Sequence, residues 1–174
     1  MTSPQKDPLL HDLTTGQQQV LSELYDRYAT PLFKVARVIL GDHAEAEDAV
    51  QDVFVSLVRS RQSLADIKNM QAYLFRSLRR AAGRCVKRRV KQRAAIANAA
   101  AQVKQPKDVA TPDCDERLER ALAALPLAQR QVIALKIDGS LSFAQIGQVL
   151  NVSINTAASR CRYALRKLRA ALED

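Results

Sequence analysis

Between Ser142 and Leu172 the sequence spells two apolar helical stripes parted by a three-residue break, a pattern that few folds accommodate. The first stripe runs from Ser142 to Leu150, the break is Asn151-Val152-Ser153, and the second runs from Ile154 to Leu172. Ser142 and Ser153 each precede a helix, and a serine hydroxyl there can accept from an unpaired backbone N–H of the first turn. Ile146, Val149, Leu150 and Val152 are spaced to pack the two helices on each other. The second helix carries no acid before Glu173. It exposes Asn155, Thr156, Ser159, Arg160 and Arg162, with Arg166, Lys167 and Arg169 further on. This reads as a helix–turn–helix whose second member, short polar groups followed by Arg, suits the major groove of DNA. An ordinary helical hairpin is the plain alternative.

The rest of the chain is helical in pattern as well. From Gln17 to Tyr28 apolar residues recur at Val20/Leu21, Leu24/Tyr25 and Tyr28. Pro31 lacks an N–H, so a kink is predicted there, or a restart with Thr30 as cap. Leu32, Phe33, Ala36, Ile39 and Leu40 continue the stripe, and Gly41 fits its left-handed end. Asp42 with Glu45 makes a capping-box pattern for the next helix. Its buried stripe is Ala46, Ala49, Val50, Val53, Phe54 and Leu57. Glu45, Asp48, Gln51, Asp52 and Val55 fall opposite. An apolar Val ringed by charge suits a protein-binding face, whereas a solvated face has no use for it.

The charge of the chain has one source. The net charge is +9, while Arg59 to Arg93 alone holds twelve basic residues and one acid, Asp66, for a net of +11. Positive charge so concentrated points to a polyanion, most simply nucleic acid; a solvated helical face is the bland reading. After a short polar loop, Asn69 can cap a helix running to about Arg89. Its inner stripe is Met70, Leu74, Leu78, Ala81, Ala82 and Cys85. Arg76, Arg79, Arg80, Gly83 and Lys87 face the other way. Tyr73 and Phe75 flank that positive stripe, where rings suit unpaired bases, or else they are core.

Ala94 to Thr111 shows no useful stripe and reads as a linker. As a flexible coil it would span on the order of 25 Å, and roughly 60 Å if extended. Beyond it, Leu118, Leu122 and Leu125 mark a helix ended by Pro126. Val132, Ile133, Leu135 and Ile137 mark another, and Asp138-Gly139-Ser140 a turn.

Several classes are set aside. No apolar run approaches the ~18–20 residues of a membrane span, and Met1 to Leu13 has no secretory pattern. The three cysteines, Cys85, Cys114 and Cys161, are scattered, which fits a reducing cytoplasm and neither a disulfide framework nor structural zinc. There is no carboxylate cluster of metal geometry, no Gly-rich phosphate loop and no Cys–His pair. The two histidines, His11 and His43, read as surface residues. Neither a cofactor, a metal site nor a catalytic residue is expected, and the chain does not read as an enzyme.

The motifs resemble a known family. Leu24-Tyr-Asp-Arg-Tyr28 with Pro31-Leu-Phe, then Ala46-Glu-Asp-Ala-Val-Gln-Asp-Val-Phe54, resemble the start of region 2 of an RNA polymerase sigma factor of the extracytoplasmic-function group. Ala72-Tyr-Leu-Phe-Arg-Ser-Leu-Arg79 and the basic run after it are similar to its promoter-melting segments. Ala124-Leu-Pro-Leu-Ala-Gln-Arg130, Leu141-Ser-Phe-Ala-Gln-Ile146, Val152-Ser-Ile-Asn-Thr156 and Ser159-Arg160 resemble region 4.

The resemblance implies an all-α fold of two small helical domains, region 2 over 14–93 and region 4 over 113–174, joined by a flexible linker over 94–112. It implies that Glu47, Asp48, Gln51, Asp52 and Val55 dock on the clamp helices of the largest polymerase subunit. Tyr73, Arg76, Arg79, Arg80, Arg84 and Lys87 would bind and open the minus-ten element. Asn155, Thr156, Ser159, Arg160, Arg162 and Arg166 would read the minus-thirty-five element, with region 4 also meeting the flap of the second-largest subunit. An anti-sigma factor is a further implied partner, and the cytoplasm the implied location. The sequence departs from the family where many members carry Trp, Asn and Asp and this chain carries Tyr73, Arg80 and Arg84. Ala157 and Ala158 also replace a commoner apolar-plus-basic pair. A helix–turn–helix regulator acting without core polymerase is the competing reading.

Overall fold

The structure, a computed structural model, describes residues 18–59, 67–99 and 114–173. Most of the polar loop after Arg59 and residues 100–113 lie outside the described residues, so of the linker expected over 94–112 only 94–99 are described, and these are helical rather than linker. The described residues form seven helices and no strand: α1 (Gln18–Leu40), α2 (His43–Arg59), α3 (Met70–Ala99), α4 (Cys114–Ala124), α5 (Leu127–Ile137), α6 (Phe143–Leu150) and α7 (Ile154–Glu173). The all-α expectation holds.

Of the two expectations at Pro31, a kink or a restart, the helix α1 removes the restart: it passes through without one. A proline inside a helix costs about 3 kcal/mol, through a lost hydrogen bond and a clash with the preceding turn. The apolar stripe explains why that cost is met. Leu24, Tyr28, Leu32, Val35 and Ile39 keep one helical phase across the proline, and all five are buried. Each such side chain contributes about 1.5–3 kcal/mol on burial, so keeping both halves on one core outweighs the local penalty. Gly41 then ends the helix at φ +70°, its N–H donating to the carbonyl of Arg37 at 2.8 Å.

The next two helices start as their caps require. The Oδ1 of Asp42 accepts from the N–H of Glu45 at 2.8 Å, and the Oδ1 of Asn69 from the N–H of Ala72 at 2.9 Å. The six expected core positions of α2 are all buried, as are the six of α3. The α3 helix continues about ten residues past the expected end near Arg89, to Ala99. Ala, Arg, Lys and Gln in that stretch are good helix formers, and no proline falls between Arg89 and Pro106.

The helix–turn–helix is as expected. Ser142 and Gln145 form a reciprocal capping box at the start of α6. Asn151 takes the left-handed conformation at its end, and Val152 N–H donates to the Gly147 carbonyl at 3.0 Å. A Cβ on Gly147 would lie 2.8 Å from the Val152 carbonyl oxygen, so only glycine lets the turn close. Ser153 caps α7, its Oγ accepting from Thr156 N–H at 3.1 Å.

The N-terminal and C-terminal blocks pack on each other. α1 lies against α5 and α4, and α3 lies against α6. Four consecutive residues of α5, Val132 to Leu135, are buried. The helix is enclosed by α1 on one side and by α6 and α7 on another. Two expected stripe residues are not core: Leu118 and Ile137 are exposed. On α3 the contact is a ridge at four-residue spacing, Gln71, Phe75 and Arg79. The Gln71 amide donates to the Gly139 carbonyl at 3.1 Å, and that of Gln145 reaches the Gln71 Oε1 at 3.4 Å. Phe75 is 1% exposed, which settles it as core and not a base-stacking ring. Arg79 donates to the Val149 carbonyl at 3.3 Å. At the periphery, Arg37 and Glu119 form an ion pair at 3.0 Å.

Candidate nucleic-acid interface

Two surfaces of opposite character lie on the N-terminal block. The first is a groove of about 940 Å³ between α1 and α2. Its apolar lining includes Phe54 and the exposed Tyr25, Val55 and Val58; its polar lining includes Glu47, Asp48 and Gln51. The rings of Tyr25 and Phe54 meet at 4.9 Å, those of Phe33 and His43 edge-on at 5.1 Å. His43 Nε2 lies 3.2 Å from Glu47 Oε1. Four of the five residues expected to dock on polymerase therefore share one groove. The fifth, Asp52, does not line it. It turns toward α3, where its Oδ2 meets Arg84 Nη2 at 3.0 Å.

Sequence reasoning did not assign Tyr25, Phe33, His43 and Val58 to this surface. Val58 stands three residues after Val55, the spacing of neighbours on a helix surface, and was the available signal.

The second surface is the outer side of α3. Arg76, Arg80, Arg84 and Lys87 are exposed there, at spacings of four, four and three that keep them on one stripe. Tyr73 is half-buried one turn before Ser77 and shares a small recess with Arg80 and Arg84. Arg79 is set apart from this stripe by its bond to Val149. Arg89, also in the basic run, is turned back on the protein: it donates to the Leu40 carbonyl at 3.2 Å and pairs with Glu45.

On the C-terminal block, Ala157, Cys161, Ala164 and Leu168 point α7 inward. The opposite face carries Asn155, Ser159, Arg162 and Arg166, at spacings of four, three and four. Ser159 Oγ accepts from Arg162 at 3.4 Å, and the Arg166 guanidinium lies 5.0 Å from the centroid of the Tyr163 ring. Thr156 and Arg160 flank this face half-buried. The Thr156 hydroxyl is engaged with Ser153 Oγ at 2.8 Å, so it helps hold the turn.

Burial pushes the thiols of Cys85 and Cys161 above the ordinary range, leaving them protonated and inert. Among the described residues no group of three or more His, Cys, Asp or Glu is placed to hold a metal ion. No described helix is long and apolar enough to cross a membrane.

The chain is similar to known proteins along most of its length. The family model described as "Sigma-70 region 2" matches residues 24–93, and "Sigma-70, region 4" matches residues 121–170. The extracytoplasmic-function (ECF) RNA polymerase sigma factor SigK of Mycobacterium tuberculosis is 26% identical over 185 residues, spanning 99% of each chain. The ECF RNA polymerase sigma factor SigL of the same species is 29% identical over 165 residues, spanning 91% of this chain and 92% of its own. Among solved structures, CnrH in complex with the cytosolic domain of CnrY aligns with a TM-score of 0.69 at 24% identity, over 95% of both chains. The sigma factor RpoE of Bartonella quintana, solved with the anti-sigma factor NepR, aligns with a TM-score of 0.68 at 22% identity, over 93% of this chain and 97% of its own.

Proposed function

This chain belongs to the sigma-70 family, in the extracytoplasmic-function group of RNA polymerase sigma factors, and on that premise we propose how its surfaces divide the work. It is an alternative sigma factor that directs RNA polymerase to promoters. That membership sets aside the regulator acting without polymerase.

The groove between α1 and α2 docks on the clamp helices of the largest polymerase subunit. Glu47 and Asp48 meet basic groups there, while Val55 is buried between them. An apolar centre ringed by charge supports this reading. The arginine stripe of α3, with Tyr73, binds and opens the minus-ten element. Separating a base-pair step costs about 1.4 kcal/mol, and a base stacked on an aromatic ring returns roughly 1–3 kcal/mol. Salt-sensitive contacts of Arg76, Arg80, Arg84 and Lys87 with phosphates supply the remainder. Asn155, Ser159, Arg162 and Arg166 read the minus-thirty-five element from the major groove, with Thr156 and Arg160 at its edge. The C-terminal block also meets the flap of the second-largest subunit.

No bond is made or broken by the chain: it selects and holds DNA, works in the cytoplasm and is not itself an enzyme. An anti-sigma factor is a fitting further partner, since RpoE was solved with one.

The observation that carries the proposal is the placement of two unlike surfaces on one block: Glu47, Asp48, Gln51 and the exposed Val55 line the groove between α1 and α2, with Arg59 at its end, while Arg76, Arg80, Arg84 and Lys87 stand exposed in one stripe on α3. Transcription in vitro with purified core polymerase tests it. Asp48→Lys should weaken core binding about tenfold or more and leave the helical fold intact. Unchanged core affinity would remove the docking assignment.

A further inference from the structure

Tyr163 is 51% exposed on α7, where the sequence pattern assigns it no part. Buried Ala157, Cys161, Ala164 and Leu168 fix which way that helix faces. At about 100° per residue, Tyr163 falls about 50° from the centre of the opposite, outward face, as far as Arg162 does on the other flank. Ser159 and Arg166 lie between these two. Long side chains on a helix lean toward its N-terminus, so the ring covers the turn that holds Ser159 and Arg160. In a recognition helix that is the end that meets base edges. The Arg166 guanidinium stands over the ring, 5.0 Å from its centroid, so what the ring offers a partner is its edge and its other face.

We infer that Tyr163 is a further specificity-determining residue, and that its ring meets the C5 methyl group of one thymine in the upstream element. The inference rests on the minus-thirty-five reading of α7 and names a base and a contact which that reading leaves open.

The surroundings select the partner. α7 carries no acid before Glu173, and Arg160, Arg162, Arg166 and Lys167 neighbour the tyrosine along the helix. A ring set among cations on a helix without acids suits a polyanion. In duplex DNA the flat faces of the bases are stacked on one another, so a ring in the major groove meets only their edges. Those edges carry donors and acceptors and one apolar group, the thymine methyl. The tyrosine hydroxyl both donates and accepts, so it discriminates poorly among bases. The ring discriminates well, because it gains where there is apolar surface to cover. Burying one methyl group is worth about fourfold in affinity.

The test uses the full chain with core polymerase. The holoenzyme first selects fragments from a duplex library randomised over both promoter elements. Each thymine of the selected upstream element is then replaced singly by deoxyuridine, which removes the methyl and keeps every hydrogen-bonding group. Binding should fall about fourfold at one position. Tyr163→Ala should bind the thymine and deoxyuridine fragments alike there, with core affinity and melting temperature unchanged, since the side chain is half exposed. Tyr163→Phe should keep the fourfold difference. A difference that survives Tyr163→Ala overturns the inference. So does its loss in Tyr163→Phe, which assigns the effect to the hydroxyl. Tyr163→Ala lowering core affinity while the difference persists overturns it in favour of a protein contact. A selected upstream element in which no thymine methyl matters sinks the Tyr163 contact and leaves the reading helix standing. A selection that yields no upstream preference at all sinks both.

Discussion

Arg79 Nη1 donates to the backbone carbonyl of Val149 at 3.3 Å, across the boundary between the two helical blocks. The acceptor lies at the C-terminal end of α6, where carbonyls lack helical partners and favour a cation. Arg79→Ala should cost about 0.5–1.5 kcal/mol. For a chain of this size each kcal/mol lowers the melting temperature by about 2–4 °C. Amide exchange should quicken at the end of α6 and in the facing turns of α3. Exchange that stays unchanged there would show that the bond does not hold the seam.

Gly139 gives a harsher test of the same seam. A Cβ at this position would lie 2.8 Å from both the Leu135 carbonyl oxygen and Leu141 Cδ1, and 3.2 Å from Phe75 Cζ. The first is backbone and cannot swing aside. Gly139→Ala should therefore destabilise the chain by about 1–3 kcal/mol, the usual range for overpacking, and enlarge its radius in X-ray scattering as the blocks separate. A melting curve and a radius equal to the wild type would refute the close approach.

The outward face of α7 predicts a division between reading and holding. Arg162→Ala should relax discrimination at one upstream base pair, worth about 1–3 kcal/mol if the contact is bidentate, or else lower the salt slope of binding by about one if it meets a phosphate. Thr156→Val should act differently, because its hydroxyl is spent on Ser153. It should lower stability with little change in base selectivity. Filter binding of the holoenzyme across a salt series separates the two.

Asp138 predicts a pH dependence. Burial lifts its carboxyl above the ordinary carboxylate range, and Lys34 pulls the other way. The folded chain then keeps this proton to higher pH than the unfolded chain does. Stability from this group is therefore full at low pH and falls as pH climbs from the unfolded carboxyl value to the raised folded one. Asp138→Asn should match the wild type below the carboxylate range and exceed it in melting temperature at neutral pH. A variant no more stable at neutral pH would count against a half-buried, raised carboxyl.

Much of the fold was legible because its signals are local. Caps at Asp42, Asn69, Ser142 and Ser153 each mark a helix start in a residue or two, and the core faces of α2 and α3 follow one period. What could not be read depends on the partner surface. Pro31 allows locally for a kink or a restart, and only the shared core on both sides of it excludes the restart. Arg79 was grouped with its charged neighbours because charge is visible in sequence, whereas the ridge it forms with Gln71 and Phe75 has meaning only against α6. The unbroken apolar run Val132 to Leu135 did carry a hint, since burial of consecutive helical residues requires neighbours on more than one side. The pairing of Asp52 with Arg84 is hidden in the sequence for a similar reason: it is set by how two helices cross.

Because α5 is gripped by α1 on one flank and by α6 and α7 on the other, the halves of the molecule are not thermodynamically independent. Any macromolecule that needs them at distant places must first forfeit what their mutual contact contributes. The apparent affinity of the whole chain is then diminished by the fraction of time it spends ajar. A ligand that bridges the closed halves gains by the same linkage and raises the melting temperature.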